Sequence, residues 1–204
     1  TYALYNLTQE QLKRTLMPVG EYTKDEIRKI AEDQGLLVAH KPDSQDICFV
    51  PDGNYAAYIE EETGQTPQEG NFVDPDGKIL GRHKGIVHYT VGQRKGLGLA
   101  LGYPAFVTEI RPETNEIVIG NKEASMKTVV RADHLNLMSV ERLERPMRVF
   151  AKIRYNHRGG WCTVTQTGTD EITCVFEEPQ SSPAPGQAVV LYDGEWVLGG
   201  GTIL

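Results

Sequence analysis

The stretch MRVFAKIRYNHRGGWCTVTQTGTDEITCVF, residues 147–176, decides the fold. It divides into three strands, Met147 to Tyr155, Trp161 to Gln166 and Ile172 to Phe176, separated by the turns His157-Arg158-Gly159-Gly160 and Gly168-Thr169-Asp170. Cys162 is in phase with Val164, and Cys174 with Ile172 and Phe176, so each strand has an apolar face of period two. Two more strands, Ala188 to Tyr192 and Trp196 to Leu198, flank Asp193-Gly194. Short strands at regular spacing, punctuated by turn residues, predict a small antiparallel β-barrel over residues 127–204.

Upstream, residues 51–126 form a middle module of short elements. A helix is predicted over Tyr55 to Glu62, ended by Gly64. Phe72-Val73 and Ile79-Leu80 flank the turn Asp74-Pro75-Asp76-Gly77, which suits a hairpin because Asp-Gly tolerates positive φ. Ala105 to Arg111 and Glu116 to Gly120 flank Pro112-Glu113-Thr114-Asn115 as a second hairpin, with Phe106, Thr108 and Ile110 alternating against Val107, Glu109 and Arg111. Residues 1–50 read instead as helix. Thr8 with Gln11, and Thr23 with Glu26, have the spacing of a capping box, and Leu7 with Leu12, and Tyr22 with Ile27, that of a hydrophobic staple. Pro18 stops the first helix and Gly35 caps the second. Neither helix has enough apolar surface to stand alone, so the pair is expected to be the tail of a further domain. The fold class is mixed α+β, mainly β: short N-terminal helices, a small middle α/β-hairpin domain and a C-terminal barrel.

The chain has 204 residues and a formal net charge of -7. So acidic a balance argues against polyanion binding by bulk electrostatics, and any RNA contact must be a local cluster of Lys and Arg. Three widely spaced cysteines give no disulfide framework and no CxxC pair, as expected of a reduced, cytoplasmic protein. His88 and His157 have no second ligand at metal spacing, so no metal is expected. No apolar run approaches the roughly 20 residues of a membrane span, and the N-terminus lacks a basic region with an apolar stretch behind it. The start at Thr1 reads as that of an excised piece.

Cys48 is the candidate nucleophile. It lies in the run His40-Lys41-Pro42-Asp43-Ser44-Gln45-Asp46-Ile47-Cys48-Phe49, where Asp43 and Asp46 would raise its pKa and His40 and Lys41 would lower it if they fold back. The alternative is a buried small hydrophobe. Cys162 and Cys174 fall in alternating strands and read as core, and Trp161 and Trp196, also within strands, are expected to pack inside. Two segments concentrate positive charge. Arg94 and Lys95 lie in a basic, Gly-rich run from Gly81 to Gly98 that suits either an RNA contact surface or a solvated loop. Lys152, Arg154 and Asn156 share one strand face, opposite Ile153 and Tyr155, and form a basic stripe that leads to Arg158. Gly92 to Gly98 and Gly199-Gly200-Gly201 lack the strand-loop-helix context of a phosphate cradle.

The strings PDSQDICF (42–49), YTVGQRKGLG (89–98) and PGQAVVLYDGEWVLGGG (185–201), in this order, resemble the bacterial tRNA-specific 2-thiouridylases. The resemblance implies an ATP-dependent sulfurtransferase that places sulfur on the wobble uridine of tRNAs of the Lys, Glu and Gln types. It implies that Cys48 carries a persulfide delivered by a sulfur-carrier protein, and that the terminal sulfur displaces AMP from the adenylated base. It implies tRNA contacts at Arg154, Tyr155 and Gln187, with Lys152, Arg158, Arg94 and Lys95 as further candidates, and a barrel like the second domain of translation elongation factors. Tyr2 and Tyr5 resemble the end of the family's Lys-Asp-Gln-Ser/Thr-Tyr segment. The family's ATP-binding loop of Ser-Gly-Gly-x-Asp-Ser type has no match here, nor has the second cysteine that resolves the persulfide as a disulfide. ATP is therefore expected in a domain this chain lacks, and the chain is expected to be inactive alone. The competing class is a non-catalytic RNA-binding barrel with a structural Cys48.

Overall fold

The computed structural model describes residues 2–42, 50 and 54–204, and Cys48 lies outside the described residues. A single turn of 3-10 helix, Tyr2–Asn6, precedes α1 (Gln9–Arg14) and α2 (Lys24–Asp33). Both capping boxes form: the Thr8 hydroxyl accepts from the Gln11 N–H while Gln11 accepts from the Thr8 N–H, and Thr23 and Glu26 repeat the exchange. These bonds hold the Glu26 carboxyl below the usual range. Neither helix buries a residue, and Leu16 and Leu37 are 88% and 101% exposed. A third helix, α3 (Tyr55–Thr63), starts on the Asn54 side chain and ends at Gly64.

The middle module is a four-stranded sheet of β1 (Gly70–Val73), β2 (Ile79–His83), β3 (Phe106–Arg111) and β4 (Glu116–Gly120) in the order β2-β1-β4-β3. Both expected hairpins are present, and a parallel pairing of β1 with β4 joins them. Phe72, Val107, Ile117 and Ile119 form the core of this sheet. His83, from the basic run, belongs to the scaffold. It is 2% exposed, its Nδ1 accepts from the Gly85 N–H at 3.1 Å, and its Nε2–H donates to the Asn115 carbonyl at 3.1 Å. Burial pushes its pKa down and keeps the ring neutral.

Six strands close the barrel: β5 (Met126–Leu137), β6 (Met147–Lys152), β7 (Gly160–Gly168), β8 (Glu171–Ser181), β9 (Ala188–Asp193) and β10 (Trp196–Ile203). The order β10-β5-β8-β7-β6-β9 is antiparallel at every seam. Alternation sends Val149, Ala151, Cys162, Val164, Ile172, Cys174 and Leu191 inward, each 0% exposed. The two tryptophans overturn the expectation of core packing, for Trp161 is 43% and Trp196 75% exposed. Trp161 precedes the inward Cys162 and so occupies the outward phase of β7, while Trp196 opens β10 beside the turn.

The N-terminal segment is tied to the barrel. Asn136 donates its amide to the Tyr5 and Leu7 carbonyls, and Gln9 donates to the Met138 carbonyl at 2.7 Å. Tyr5 is 6% exposed, its ring lying over Gly200 of β10, which has no side chain to exclude it. Truncation of this anchor, Tyr5→Ala, is expected to cost about 3 kcal/mol by lost burial. Urea unfolding and limited proteolysis after residues 13–14 would read it, and an unchanged midpoint and cleavage rate would show that the segment is not held. Among the described residues no helix is long and apolar enough to cross a membrane.

Candidate functional site

Strand β6 ends at Lys152, earlier than the alternation predicts, and the chain then turns. Ile153 stays inward at 1% exposure, Arg154 is half-buried, and Tyr155 is 69% exposed rather than on the inner face with Ile153. The turn before β9 brings Gln187 to the same place, and the middle module contributes Tyr89 and Val91. With Ile110 and Ser182 these residues line a cleft of about 340 Å³ between the sheet and the barrel. Arg154 and Gln187, separated by 33 positions in sequence, thus face one space. Tyr89 and Val91 fall in the run YTVGQRKGLG, so two of the strings quoted above meet at the cleft, and the third lies outside the described residues except for Pro42.

The electrostatics favour an anion. Among the described residues Arg154 and Lys152 have no ion pair, whereas most other arginines of the barrel are matched to a carboxylate, as in Arg131–Glu171 and Arg142–Glu144. His157 adds no charge: burial first, then the positive charges of Arg154 and Lys152, push its pKa down. Its Nδ1 accepts from the Gly159 N–H at 3.2 Å, which fixes the tautomer and orders the turn. Ser182 is 4% exposed and its hydroxyl has no hydrogen-bond partner among the described residues.

Tyr2 buttresses this corner, a role that string similarity alone does not show. Its hydroxyl donates to the Ala188 carbonyl at 2.7 Å, beside Gln187, and its ring meets that of Tyr155 edge-on at 6.1 Å. Burial, then Tyr5 and Tyr192, push its pKa up to about 12, so it remains a donor.

The other candidates lie apart. Arg94 lines a different cavity of about 730 Å³ with Tyr103, Phe106 and Lys122, and Lys95 and Arg158 are exposed away from the cleft lining. The glycine runs do not cradle a nucleotide: no helix follows Gly98, and Gly199 to Gly201 are paired within β10 to β5 and β9. Neither glycine run therefore offers a phosphate cradle for ATP. No group of three or more His, Cys, Asp or Glu that could hold a metal ion occurs among them.

Three family models match the chain in sequence: "tRNA methyl transferase HUP domain" over residues 1–52, "tRNA methyl transferase PRC-barrel domain" over 56–121, and "Aminomethyltransferase beta-barrel domain" over 127–203. The chain is 64% identical over 204 residues to the tRNA-specific 2-thiouridylase MnmA of Lachnoclostridium phytofermentans, covering 100% of this chain and 57% of that protein. It is 51% identical over 203 residues to the proteins of the same name from Clostridioides difficile and Acetivibrio thermocellus, covering 100% of this chain and 56% of each. The chain spans a little over half the length of these relatives. Identity at this level along the whole chain, with three matched models in order, means that the chain belongs to the tRNA-specific 2-thiouridylase family.

Proposed function

We propose that this chain forms the tRNA-gripping part of a tRNA-uridine 2-sulfurtransferase, with Cys48 as the cysteine that carries the persulfide. The observation that carries the RNA reading is the cleft, where Arg154 and Gln187 converge with the segment around Tyr89 and an unpaired guanidinium faces a half-apolar space. Such a site suits a phosphate beside a ribose or base: the guanidinium takes the anion, the Gln187 amide offers neutral hydrogen bonds, and the exposed Tyr155, next to Arg154, presents an aromatic ring beside the cleft. Tyr2 fixes Tyr155 and the backbone beside Gln187, and so pre-orders the grip.

Release of sulfur from a persulfide to the base requires a second thiol to take the inner sulfur into a disulfide. Cys162 and Cys174, both 0% exposed inside the barrel, do not fill that role. The resolving thiol, like the ATP-dependent activation of the uridine, is assigned to the part of the relatives' length that this chain does not span. A sulfur-carrier protein is the proposed donor, and tRNAs with a wobble uridine, of the Lys, Glu and Gln types, the proposed substrates.

Gel shifts with transcripts of those tRNAs test the grip. Arg154→Ala is expected to weaken binding about tenfold, equivalent to ~1.4 kcal/mol, and to reduce the salt slope by about one. Absence of binding by the native chain, or equal binding by the variant, would refute the reading.

A further inference from the structure

The outward face of β6 carries Arg148 and Phe150 besides Lys152, and Trp161 projects beside them from β7. The Arg148 guanidinium carbon sits 4.1 Å above the centre of the Trp161 ring. One edge of the guanidinium is held by Glu177 of β8, with Nε donating at 2.6 Å and Nη2 at 3.2 Å to the two carboxylate oxygens. Phe150 braces the indole edge-on at 5.6 Å and 78°. The guanidinium is thus fixed underneath and along one edge, while the Arg148 side chain remains 57% exposed.

We propose that Arg148, stacked on Trp161 and oriented by Glu177, is a platform on which an unpaired nucleobase of the bound RNA stacks. This rests on the RNA reading of the cleft above. Bases stack on guanidinium planes as they do on aromatic rings, and a plane already immobilised loses little entropy on binding. An exposed ion pair by itself contributes little to stability, so fold stability does not account for the arrangement. Arg111–Glu109, Arg131–Glu171 and Arg142–Glu144 are ion pairs of the same kind, and among the described residues none of these arginines lies over a ring. Continuity with the cleft selects RNA over an acidic protein as the occupant. Arg148 and Lys152 lie on one outward strand face, about 13 Å apart at the strand rise, and Arg154 follows just beyond the strand's end, so RNA gripped at Arg154 lies within a few nucleotides of the platform. In a chain of net charge -7 this row is a local cationic track.

The test uses the native chain in a Trp196→Phe background, which leaves Trp161 as the single indole. Titration with a transcript of a wobble-uridine tRNA is expected to quench the Trp161 emission. Arg148→Lys, which keeps the charge and loses the plane, is expected to weaken binding five- to tenfold with an unchanged melting temperature. Glu177→Gln, which frees the guanidinium, is expected to fall between the two. Unchanged emission at saturating tRNA together with native affinity in Arg148→Lys would overturn the platform. If at the same time Arg154→Ala still weakened binding, the cleft would stand and the platform alone would fall. If the native chain bound no tRNA, both would fall.

Discussion

Iodoacetamide added to the native chain is expected to alkylate Cys48 and to leave Cys162 and Cys174 unmodified, until denaturant raises the count to all three thiols. The two barrel cysteines are 0% exposed and lie on the neighbouring strands β7 and β8, both facing inward. The hydrogen bond with Cys162, and then burial, push the Cys174 thiol well above its ordinary pKa, so little thiolate exists in the closed barrel. Reaction must wait for an opening that costs a substantial part of the folding free energy. At about 5 kcal/mol this slows labelling more than a thousandfold relative to an accessible thiol. Mass spectrometry of peptides over a time course reads the order directly. Modification of Cys162 or Cys174 ahead of Cys48 would remove the ground for Cys48 as a sulfur carrier and favour the RNA-binding module with a structural cysteine.

Gly199→Ala is expected to destabilise the barrel by about 4 kcal/mol, a fall of roughly 10 °C in melting temperature. Gly199 sits at an irregularity of β10, where the register against β9 shifts between Val197 and Gly199, and its φ is +148°, which side chains rarely adopt. A Cβ there would lie 2.4 Å from the Asn136 carbonyl oxygen and 2.7 Å from the Leu137 Cα. Both obstacles are backbone of β5, so no side chain can swing away, and the seam between β10 and β5 must open. Circular dichroism melts of the variant measure the effect. A transition within a degree of the native one would mean that the seam yields at no cost.

The barrel was legible in the sequence because its signals are local. Alternation and turn residues located β6 to β10, and the inward phase of Cys162 and Cys174 held. The same alternation places Trp161 outside, since it adjoins Cys162, and the expectation of a buried indole failed because residue-type preference was set above phase. Both hairpins of the middle sheet and both helix caps were also readable. The parallel pairing of β1 with β4 was not, because nothing in either strand encodes a partner more than forty residues away. Nor does spacing place Tyr89, Arg154 and Gln187 around one cleft, which follows from the packing of two modules. The early end of β6 re-aimed Tyr155, and no turn residue between Lys152 and Tyr155 announces it. Tyr2 gave only a string match, and its contact with Tyr155 joins positions 153 apart.

The seating of β10 between β9 and β5 has a consequence for synthesis on the ribosome. Until residues 196–203 emerge, β5 and β9 each present a row of unpaired N–H and C=O groups, and Tyr5 has no Gly200 to lie on. At about 5–20 residues per second, the interval from the end of β5 at Leu137 to the end of β10 at Ile203 lasts roughly 3–13 s. Over the last ten residues of that interval, from the end of β9 at Asp193 and for roughly 0.5–2 s, the nascent barrel is a half-open sheet with two sticky margins, and a message broken before β10 would release a product able to pair edge to edge with its own kind.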